Sequence, residues 1–246
     1  MINIDLFKKI IIVSGGSGNL GSNLCKVLLD QGATVISIDK KIPRKYFKNK
    51  NFNFIKSNLK NSTNIQNVIK KILVKFKKID VLINCLGIFS KKKILEIDEK
   101  EIRKILYINF TISALLTKFS LKNMLKKKSG KIINITSIAG MNGGVYAGDI
   151  YSASKAALIN LTKSIAKKYG KFNIFCNCIN SGPFVSQMTK NWPESIKKKL
   201  SNSYKINNKG KLGDVKDIAS IVLFLCSNNS RMMQGSEINA SGGIYI

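Results

Sequence analysis

Tyr151 and Lys155 are the two residues whose types and spacing most directly suggest chemistry. They lie four residues apart near the start of a predicted helix, and therefore on one helical face, one turn apart. An unperturbed phenol has a pKa of about 10 and is a poor base at neutral pH, but a nearby ammonium group favours the phenolate and lowers that pKa. The pair predicts acid–base chemistry at a tyrosine hydroxyl.

A glycine-rich loop follows the first predicted strand. Gly16, Gly18 and Gly21 match the pattern G-x-G-x-x-G, and Gly15 with Gly18 and Gly21 gives a second match, G-x-x-G-x-x-G. Glycine lets the chain turn tightly and lets the backbone approach a pyrophosphate, while the following helix offers unpaired N–H groups to phosphates. Asp39 lies at the end of the second predicted strand, where a carboxylate can accept hydrogen bonds from an adenosine ribose. The pattern predicts a dinucleotide site.

Alternating strands and helices must position these groups. Short β-rich apolar runs predict seven strands at 10–13, 34–38, 51–55, 79–84, 131–136, 173–179 and 237–240. Segments of helical period lie between them, at about 20–31, 62–78, 98–127, 153–170 and 214–227. Apolar strands alternating with helices indicate a parallel sheet covered on both faces. We therefore predict an α/β fold, a single Rossmann-type doubly wound domain spanning 1–246, with a seven-stranded parallel sheet and a substrate loop or lid at about 181–213.

Composition excludes several classes of function. The 246 residues carry 42 Lys plus Arg against 13 Asp plus Glu, a net charge of +29, with no histidine. Without an imidazole there is no Ser-His-Asp or Cys-His nucleophile and no His-containing metal site, so we predict no metal. The five cysteines are scattered and form no C-x-x-C pair, which is typical of buried thiols in a reducing compartment.

Lysine supplies most of the positive charge, because only Arg44, Arg103 and Arg231 are arginines. Lysine spread over the whole chain indicates a composition bias rather than a specific nucleic-acid surface. No apolar run approaches the ~20 residues of a membrane span, and we see no signal-peptide pattern. We expect a cytoplasmic protein with no membrane partner and no specific nucleic-acid partner.

Several motifs in order give a family resemblance. They are the glycine-rich loop, Asn84-Cys85-Leu86-Gly87, Asn109, the stretch from Ile135 to Gly140 with Ser137, Tyr151-Ser152-Ala153-Ser154-Lys155, Asn180-Ser181-Gly182-Pro183 and the closing Gly235–Gly243 segment. Together they resemble the short-chain dehydrogenase/reductase family over essentially the whole chain. The layout, including the ending Gly242-Gly243-Ile244-Tyr245-Ile246, is most similar to the 3-oxoacyl-acyl-carrier-protein reductase branch.

The resemblance implies a role for each site residue. Ser137 would orient the substrate oxygen, Tyr151 would donate or accept the proton, Lys155 would also reach the cofactor ribose, and Asn109 would hold a water linking Lys155 to solvent. A nicotinamide would supply the hydride. The implied cofactor-binding residues are Gly15, Ser17, Gly18, Asn19, Leu20, Gly21, Asp39, Asn58, Leu59, Asn84, Gly87, Tyr151, Lys155, Gly182 and Phe184.

Some positions depart from the family pattern. Asn19 stands where a glycine is usual, Asn58-Leu59 replaces Asp-Val, and Ser181 replaces a proline. The cofactor is NAD(H) or NADP(H). Asp39 favours NAD(H) because a carboxylate repels a 2′-phosphate, whereas Lys40, Lys41 and Arg44 could neutralise that phosphate.

The substrate is predicted less directly than the cofactor. Trp192, Ile196 and Leu200 have the spacing of a short amphipathic lid helix, which could form an apolar pocket with Phe89, Phe184, Met188 and Tyr204. A 3-oxoacyl group on a carrier protein is the leading candidate. The alternatives are a sugar or other small-alcohol dehydrogenase, and, from a different class, a catalytically silent nucleotide-binding regulator.

Assembly and partners follow from the surface residues. Apolar positions at Ile112, Leu115, Leu116, Phe119, Leu158, Ile159 and Ile165 exceed what one sheet face obviously needs, so we expect a homo-oligomer, most simply a tetramer. The substrate would be a ketone or alcohol, as a free small molecule or bound to a carrier. Lysines at 127, 128, 197 and 198 would steer an acidic carrier to the mouth of the site.

Overall fold

The sheet has seven parallel strands, as predicted. We analysed a computed structural model, which describes residues 4–43, 48–144, 146–190, 192–204 and 212–245, with the backbone alone at 187 and 188. The strands are β1 (Ile10–Ser14), β2 (Thr34–Asp39), β3 (Phe52–Lys56), β4 (Val81–Asn84), β5 (Gly130–Ser137), β6 (Ile174–Ser181) and β7 (Glu237–Ala240). Their order is β3-β2-β1-β4-β5-β6-β7. The chain therefore reverses its direction across the sheet between β1 and β4, where open α/β sheets bind ligands.

Helices cover both faces of the sheet. They are α1 (Asn19–Asp30), α2 (Ser62–Phe76), α3 (Glu99–Leu106), α4 (Ile112–Lys127), α5 (Ala139–Asn142), α6 (Asp149–Tyr169), α7 (Gln187–Lys190), α8 (Glu194–Asn202) and α9 (Val215–Cys226). Short 3₁₀ turns lie at Gly170–Phe172 and Asn228–Ser230. Helices α1 and α9 pack on one face, and α2, α4 and α6 pack on the other. The predicted doubly wound α/β arrangement is confirmed.

Alternation along each strand sends successive residues to opposite faces. In β4, Leu82 packs with the α2, α4 and α6 layer, while Val81 and Ile83 pack with the α1 and α9 layer. All three are almost fully buried. The sheet is thus apolar on both faces, which is why its strands appear in the sequence as continuous apolar runs.

Side-chain caps fix where several helices begin. The Asn61 side chain accepts from the backbone of Asn64 at the start of α2, and Asp98 does the same for Glu101 at the start of α3. Asp214 and Asp217 form a capping box at the start of α9. At α1, by contrast, the N-cap is Gly18, which makes no side-chain hydrogen bond. The first N–H groups of α1 are therefore free of a competing side chain.

The predicted long helix at 98–127 is wrong in one respect. It is divided into α3 and α4 by a π-helical turn at Tyr107–Thr111, which holds Asn109 fully buried. A π turn adds a residue to the helical repeat and often marks a functional position. The fourth strand is also shorter than the predicted 79–84. Among the described residues, no helix combines the length and the apolar character needed to cross a bilayer.

Candidate active site

The site residues are brought together by the carboxyl ends of the parallel strands. Ser14 and Asn84 are register partners at the ends of β1 and β4, and Ser137 and Ser181 are register partners at the ends of β5 and β6. Asp39 ends β2. Since all seven strands run the same way, these ends meet at one edge of the sheet. Helix α6 places Tyr151 and Lys155 against the same edge.

The glycine-rich loop is packed too closely for side chains at two of its glycines. Gly15 has a φ of +74°, and a Cβ there would lie 2.8 Å from Leu86 Cα. A Cβ on Gly21 would collide with the Gly15 carbonyl oxygen. Both glycines keep the backbone close to the start of α1, whose N–H groups can receive a phosphate. Ser17 and Asn19 stand at the outer side of the same turn, and Leu20 is buried beneath it.

Asp39 is held in place by backbone N–H groups. Its Oδ2 accepts from Ser17 N at 3.1 Å and its Oδ1 accepts from Lys41 N at 3.1 Å. Ser17 Oγ in turn donates to the Lys41 carbonyl at 2.7 Å. The carboxylate is therefore fixed beside the loop where a ribose would lie. The Lys40 and Lys41 side chains are exposed, and Arg44 lies outside the described residues.

Lys155 is almost fully buried beside Tyr151. Its Nζ donates to the Ile135 carbonyl oxygen at 3.0 Å and lies 5.9 Å from the centroid of the Tyr151 ring. Burial lowers the pKa of Lys155 to about 8, because the charged form loses solvation, while nearby Cys85 acts in the opposite direction. The site therefore holds a lysine that titrates near the physiological range.

The sequence predicts a lowered pKa for Tyr151, and this prediction is wrong. Burial raises the pKa of Tyr151, and a hydrogen bond with Ser137 acts against that rise. Desolvation of the phenol is therefore the largest cause of the shift, and it acts against the lowering predicted from spacing alone. At neutral pH Tyr151 is therefore the protonated acid.

Asn109 positions the chain next to the lysine. Its Oδ1 accepts from Ile88 N at 2.8 Å, and its Nδ2 donates to Ile88 O at 3.0 Å and to Ser154 Oγ at 3.0 Å. A Cβ on Gly87 would lie 3.4 Å from Asn109 Oδ1 and 3.5 Å from Lys155 Nζ. The side chain of Asn109 thus fixes the segment after β4, and the water link stays a prediction. Ser154 was not predicted, since nothing in its spacing sets it apart.

Of the other predicted cofactor residues, Asn84 and Leu59 are buried and Asn58 is exposed. Asn84 turns its side chain into the α4 and α6 layer, where its Nδ2 donates to Asn134 Oδ1 at 2.8 Å and to Thr117 Oγ1 at 3.2 Å. Asn58 is exposed, whereas Leu59 is buried and its carbonyl accepts from the Tyr107 hydroxyl at 3.1 Å. For Asn84, only the backbone remains to face a nucleotide.

Gly182 and Phe184 begin the predicted substrate segment. Gly182 N donates to Ala240 O at 2.9 Å, and a Cβ on it would lie 2.8 Å from Ser241 Cα. Phe184 forms a β-bridge with Gly213, so the two ends of the segment meet. The segment is therefore closed at its base, in keeping with a loop that stands over the site.

The Tyr204 hydroxyl is hydrogen-bonded within the substrate segment and does not belong to the predicted apolar pocket. That hydroxyl donates to the Pro183 carbonyl and accepts from Gly213 N at 3.0 Å, so it fastens the base of the segment. The side chain of Met188 lies outside the described residues. The aromatic pocket residues that do meet are Phe89, which contacts Tyr151 edge-on at 5.0 Å between centroids, and Trp192, at 5.3 Å from Phe89.

One contact across the cleft was missed by sequence reasoning. Asn19 Nδ2 donates to the Val185 carbonyl at 2.7 Å, which joins the glycine-rich loop to the substrate segment over 166 residues of sequence. The signal was the departure of Asn19 from the usual glycine, although a departure alone does not identify a partner. The two sides of the cleft are hydrogen-bonded to each other.

A glycine-rich loop at a switch point, with a serine at a neighbouring strand end and a tyrosine and a lysine on the helix packed against it, is the arrangement of a nucleotide-dependent oxidoreductase. The chain belongs to the short-chain dehydrogenase family, whose family model matches residues 9–197. It is an NAD(P)-dependent oxidoreductase acting on CH–OH and C=O groups.

Known proteins similar to the chain cover nearly all of it. A 3-oxoacyl-[acyl-carrier-protein] reductase from Buchnera aphidicola subsp. Schizaphis graminum is 33% identical, over 97% of this chain and 98% of that protein. A 2-dehydro-3-deoxy-D-gluconate 5-dehydrogenase from Formosa agariphila is 30% identical, over 99% and 96%. A solved short chain dehydrogenase from Leptospira borgpetersenii with bound NAD+ is 26% identical, with a TM-score of 0.92, over 98% of this chain and 94% of that one.

The buried lysine should make stability depend on pH. The pKa of Lys155 is about 8 in the folded protein, against an ordinary value of 10.5. Between these values the unfolded chain holds one more proton, so the free energy of unfolding rises with pH. Below pH 8 both states are protonated, and this residue contributes no slope.

We test this with Lys155→Met, which lacks the titrating group. Urea unfolding at intervals from pH 7 to 10.5 should show the wild type gaining stability relative to the variant above about pH 8, by at most about 1.4 kcal/mol per pH unit. A difference that stays constant over this range would contradict the burial of a titrating lysine.

Proposed function

We propose that the protein reduces the ketone of a 3-oxoacyl thioester. The observation that carries this proposal is the meeting of Ser137, at the end of β5, with Tyr151 and Lys155 of α6. The similarity to 3-oxoacyl-[acyl-carrier-protein] reductases over the full chain supports the substrate class. The product would be the corresponding 3-hydroxyacyl thioester.

The side chains divide the work at the substrate oxygen. Ser137 hydrogen-bonds the ketone oxygen and orients it, and Tyr151 donates its hydroxyl proton to that oxygen as negative charge develops. Lys155, with a pKa of about 8, can return a proton toward Tyr151 while the Ile135 carbonyl holds its Nζ. A bound nicotinamide supplies the hydride. Tyr151 keeps its proton at neutral pH, as a proton donor to the ketone oxygen must.

The residues that would hold the nucleotide form two groups. Gly15, Gly18 and Gly21 leave room for the pyrophosphate at the start of α1, and Asp39 offers its carboxylate to the ribose. The backbone of Gly87 borders Lys155 on the other side of the cleft.

A sugar or sugar-acid dehydrogenase is the second candidate. It is supported by the 30% identity to a 2-dehydro-3-deoxy-D-gluconate 5-dehydrogenase. A catalytically silent regulator would have no need for Ser137, Tyr151 and Lys155 together, and their assembly at one edge weighs against that role.

The prediction that four lysines steer an acidic carrier to the site is wrong for two of them. Lys127 ends α4, and its Nζ lies 3.1 Å from Asp80 Oδ1, just before β4 begins. Lys127 and its neighbour Lys128 are therefore at the amino edge of the sheet, opposite the site. Lys197 and Lys198 lie on α8, within the substrate segment. We propose a carrier-bound substrate that is steered, among the four predicted lysines, only by Lys197 and Lys198 of α8.

We also propose a cytoplasmic location, in keeping with five free cysteines.

Replacing Tyr151 by Phe should abolish most turnover without loss of nucleotide binding. The ring can still pack against Phe89, but the proton donor is gone. With acetoacetyl-CoA as substrate, we expect kcat to fall at least ~100-fold. The dissociation constant of the reduced nucleotide, followed by its fluorescence, should change less than about threefold.

Tyr169→Phe is the matched control, because it makes the same change at the far end of α6. It should keep wild-type turnover. Full activity of the Tyr151 variant would exclude the tyrosine mechanism, and a wild type that reduces no 3-oxoacyl thioester with either nucleotide would exclude the proposed substrate.

We propose NAD(H) as the preferred nucleotide. The carboxylate of Asp39 is fixed beside the loop, where it accepts from ribose hydroxyls and repels a 2′-phosphate. NADH should bind more tightly than NADPH, and Asp39→Ser should reduce that preference. Isothermal titration of both nucleotides decides the matter: NADPH binding ten times more tightly than NADH, about 1.4 kcal/mol, contradicts the proposal.

We also propose a homotetramer, on narrower support than the sequence suggested. Five of the seven apolar residues expected at an interface, Ile112, Leu116, Phe119, Leu158 and Ile159, are buried within the single chain. Leu115 and Ile165 remain partly exposed on α4 and α6, and Leu106 is 36% exposed. Sedimentation equilibrium should give four times the chain mass of 27.3 kDa, whereas a monomer contradicts this assembly.

A further inference from the structure

Trp192 forms part of the wall beside the catalytic tyrosine. Its ring centroid lies 5.3 Å from that of Phe89, which in turn lies 5.0 Å from that of Tyr151. Trp192 is the single tryptophan of the chain and is only 9% exposed. The three rings therefore run continuously from the reacting tyrosine to the segment that precedes α8.

The indole N–H of Trp192 is buried, and the described part of the chain offers it no acceptor. Its Nε1 has no hydrogen-bond partner among the residues that the structure describes. An indole nitrogen can only donate, and a buried donor left unpaired costs about 1–3 kcal/mol. Since buried polar groups in native proteins are nearly always paired, this N–H requires an acceptor from outside the described chain.

The indole is held in its place on several sides. Trp192 N donates to Thr189 O at 3.1 Å, and Pro193 follows it directly at the N-cap of α8. The ammonium group of Lys91 lies 5.3 Å from the indole centroid. A ring fixed by its backbone, by Phe89 and by a cation is preorganised to recognise a ligand.

Nearby hydroxyl groups of the same segment are already used. Thr189 Oγ1 donates to Phe184 O at 2.9 Å, and the Tyr204 hydroxyl donates to Pro183 O. These two groups hold the segment together. The Trp192 N–H differs from them because none of the described residues accepts a hydrogen bond from it.

We propose that the Trp192 N–H donates a hydrogen bond to a second oxygen of the substrate. The enzyme would then select ketones that carry another acceptor a few bonds from the reacting carbonyl. In a 3-oxoacyl thioester that acceptor is the thioester carbonyl oxygen. This inference rests on the proposed function and deepens it, since it assigns the residue that distinguishes a 3-oxoacyl group from a simple ketone. Sites built to bond a substrate oxygen reject analogues that lack it.

Trp192→Phe is the variant that tests the bond. It keeps an aromatic ring against Phe89 and removes the N–H. The substrates are ethyl acetoacetate and 2-heptanone, which have chains of equal length, although only the ester carries a second carbonyl. We expect kcat/KM for ethyl acetoacetate to fall at least ~10-fold, with less than about a twofold change for 2-heptanone. Each ketone is measured with wild type and variant, and the two variant-to-wild-type ratios are compared. The difference in reactivity between the ketones then cancels.

Phe89→Leu is the packing control, because it disturbs the wall and leaves the N–H in place. It should lower kcat/KM for both ketones by similar factors. Equal losses on both ketones in Trp192→Phe, or no loss on either, would overturn the inference while leaving the proposed function intact. Failure of the wild type to reduce acetoacetyl-CoA or ethyl acetoacetate would instead count against the proposed function.

Fluorescence of the single tryptophan gives a second readout that needs no turnover. In Tyr151→Phe without nucleotide, ethyl acetoacetate should shift the Trp192 emission to longer wavelength at saturating concentration, and 2-heptanone should shift it less. Identical responses to the two compounds, or no response to either, would overturn the inference even where 2-heptanone turns over too slowly to measure.

Discussion

The site depends on a buried lysine whose Nζ is held by a backbone carbonyl. Lys155 donates to Ile135 O from the interior of α6, so the helix is fixed to β5 at one point near the strand end. Space around the lysine is small: a Cβ on Gly87 would come within 3.5 Å of Nζ, and one on Gly140 would lie 2.8 Å from Lys155 C. With α6 fixed in this way, Tyr151, one turn earlier, must face the same edge as Ser137.

Polar networks inside the apolar sheet support that edge. Asn134 in β5 accepts from Asn84 and donates to Thr162 of α6, each at 2.8 Å. Asn180 in β6 accepts from Thr136 and donates to Asn239 of β7 at 3.0 Å. Buried amides of this kind tolerate one register only, because a slipped strand would leave them unpaired. They keep the strand ends, and hence the groups proposed to act in catalysis, level with one another.

The sequence predicts the sheet, the helices and the tyrosine–lysine pair because these follow from local periodicity and spacing. It does not predict where single side chains point. Asn84 shares a face with Leu82 by strand alternation, so its amide enters the helical layer rather than the cleft. Lys127 ends a helix that runs against the strands, which places it at the amino edge. The burial of the Trp192 indole N–H away from any acceptor among the described residues has no sequence signal, since it arises from packing between distant segments.

The two titrating groups of the site are shifted in directions that share one cause. Burial disfavours the charged form of each, which raises the pKa of Tyr151 and lowers that of Lys155 to about 8. The predicted attraction between phenolate and ammonium would have shifted them the other way. At neutral pH the Tyr151 phenol keeps its proton, and the Lys155 ammonium group loses its proton more readily than that of an ordinary lysine. A phenol that keeps its proton at neutral pH can donate it to an oxygen on which negative charge develops, and that is the role proposed for Tyr151.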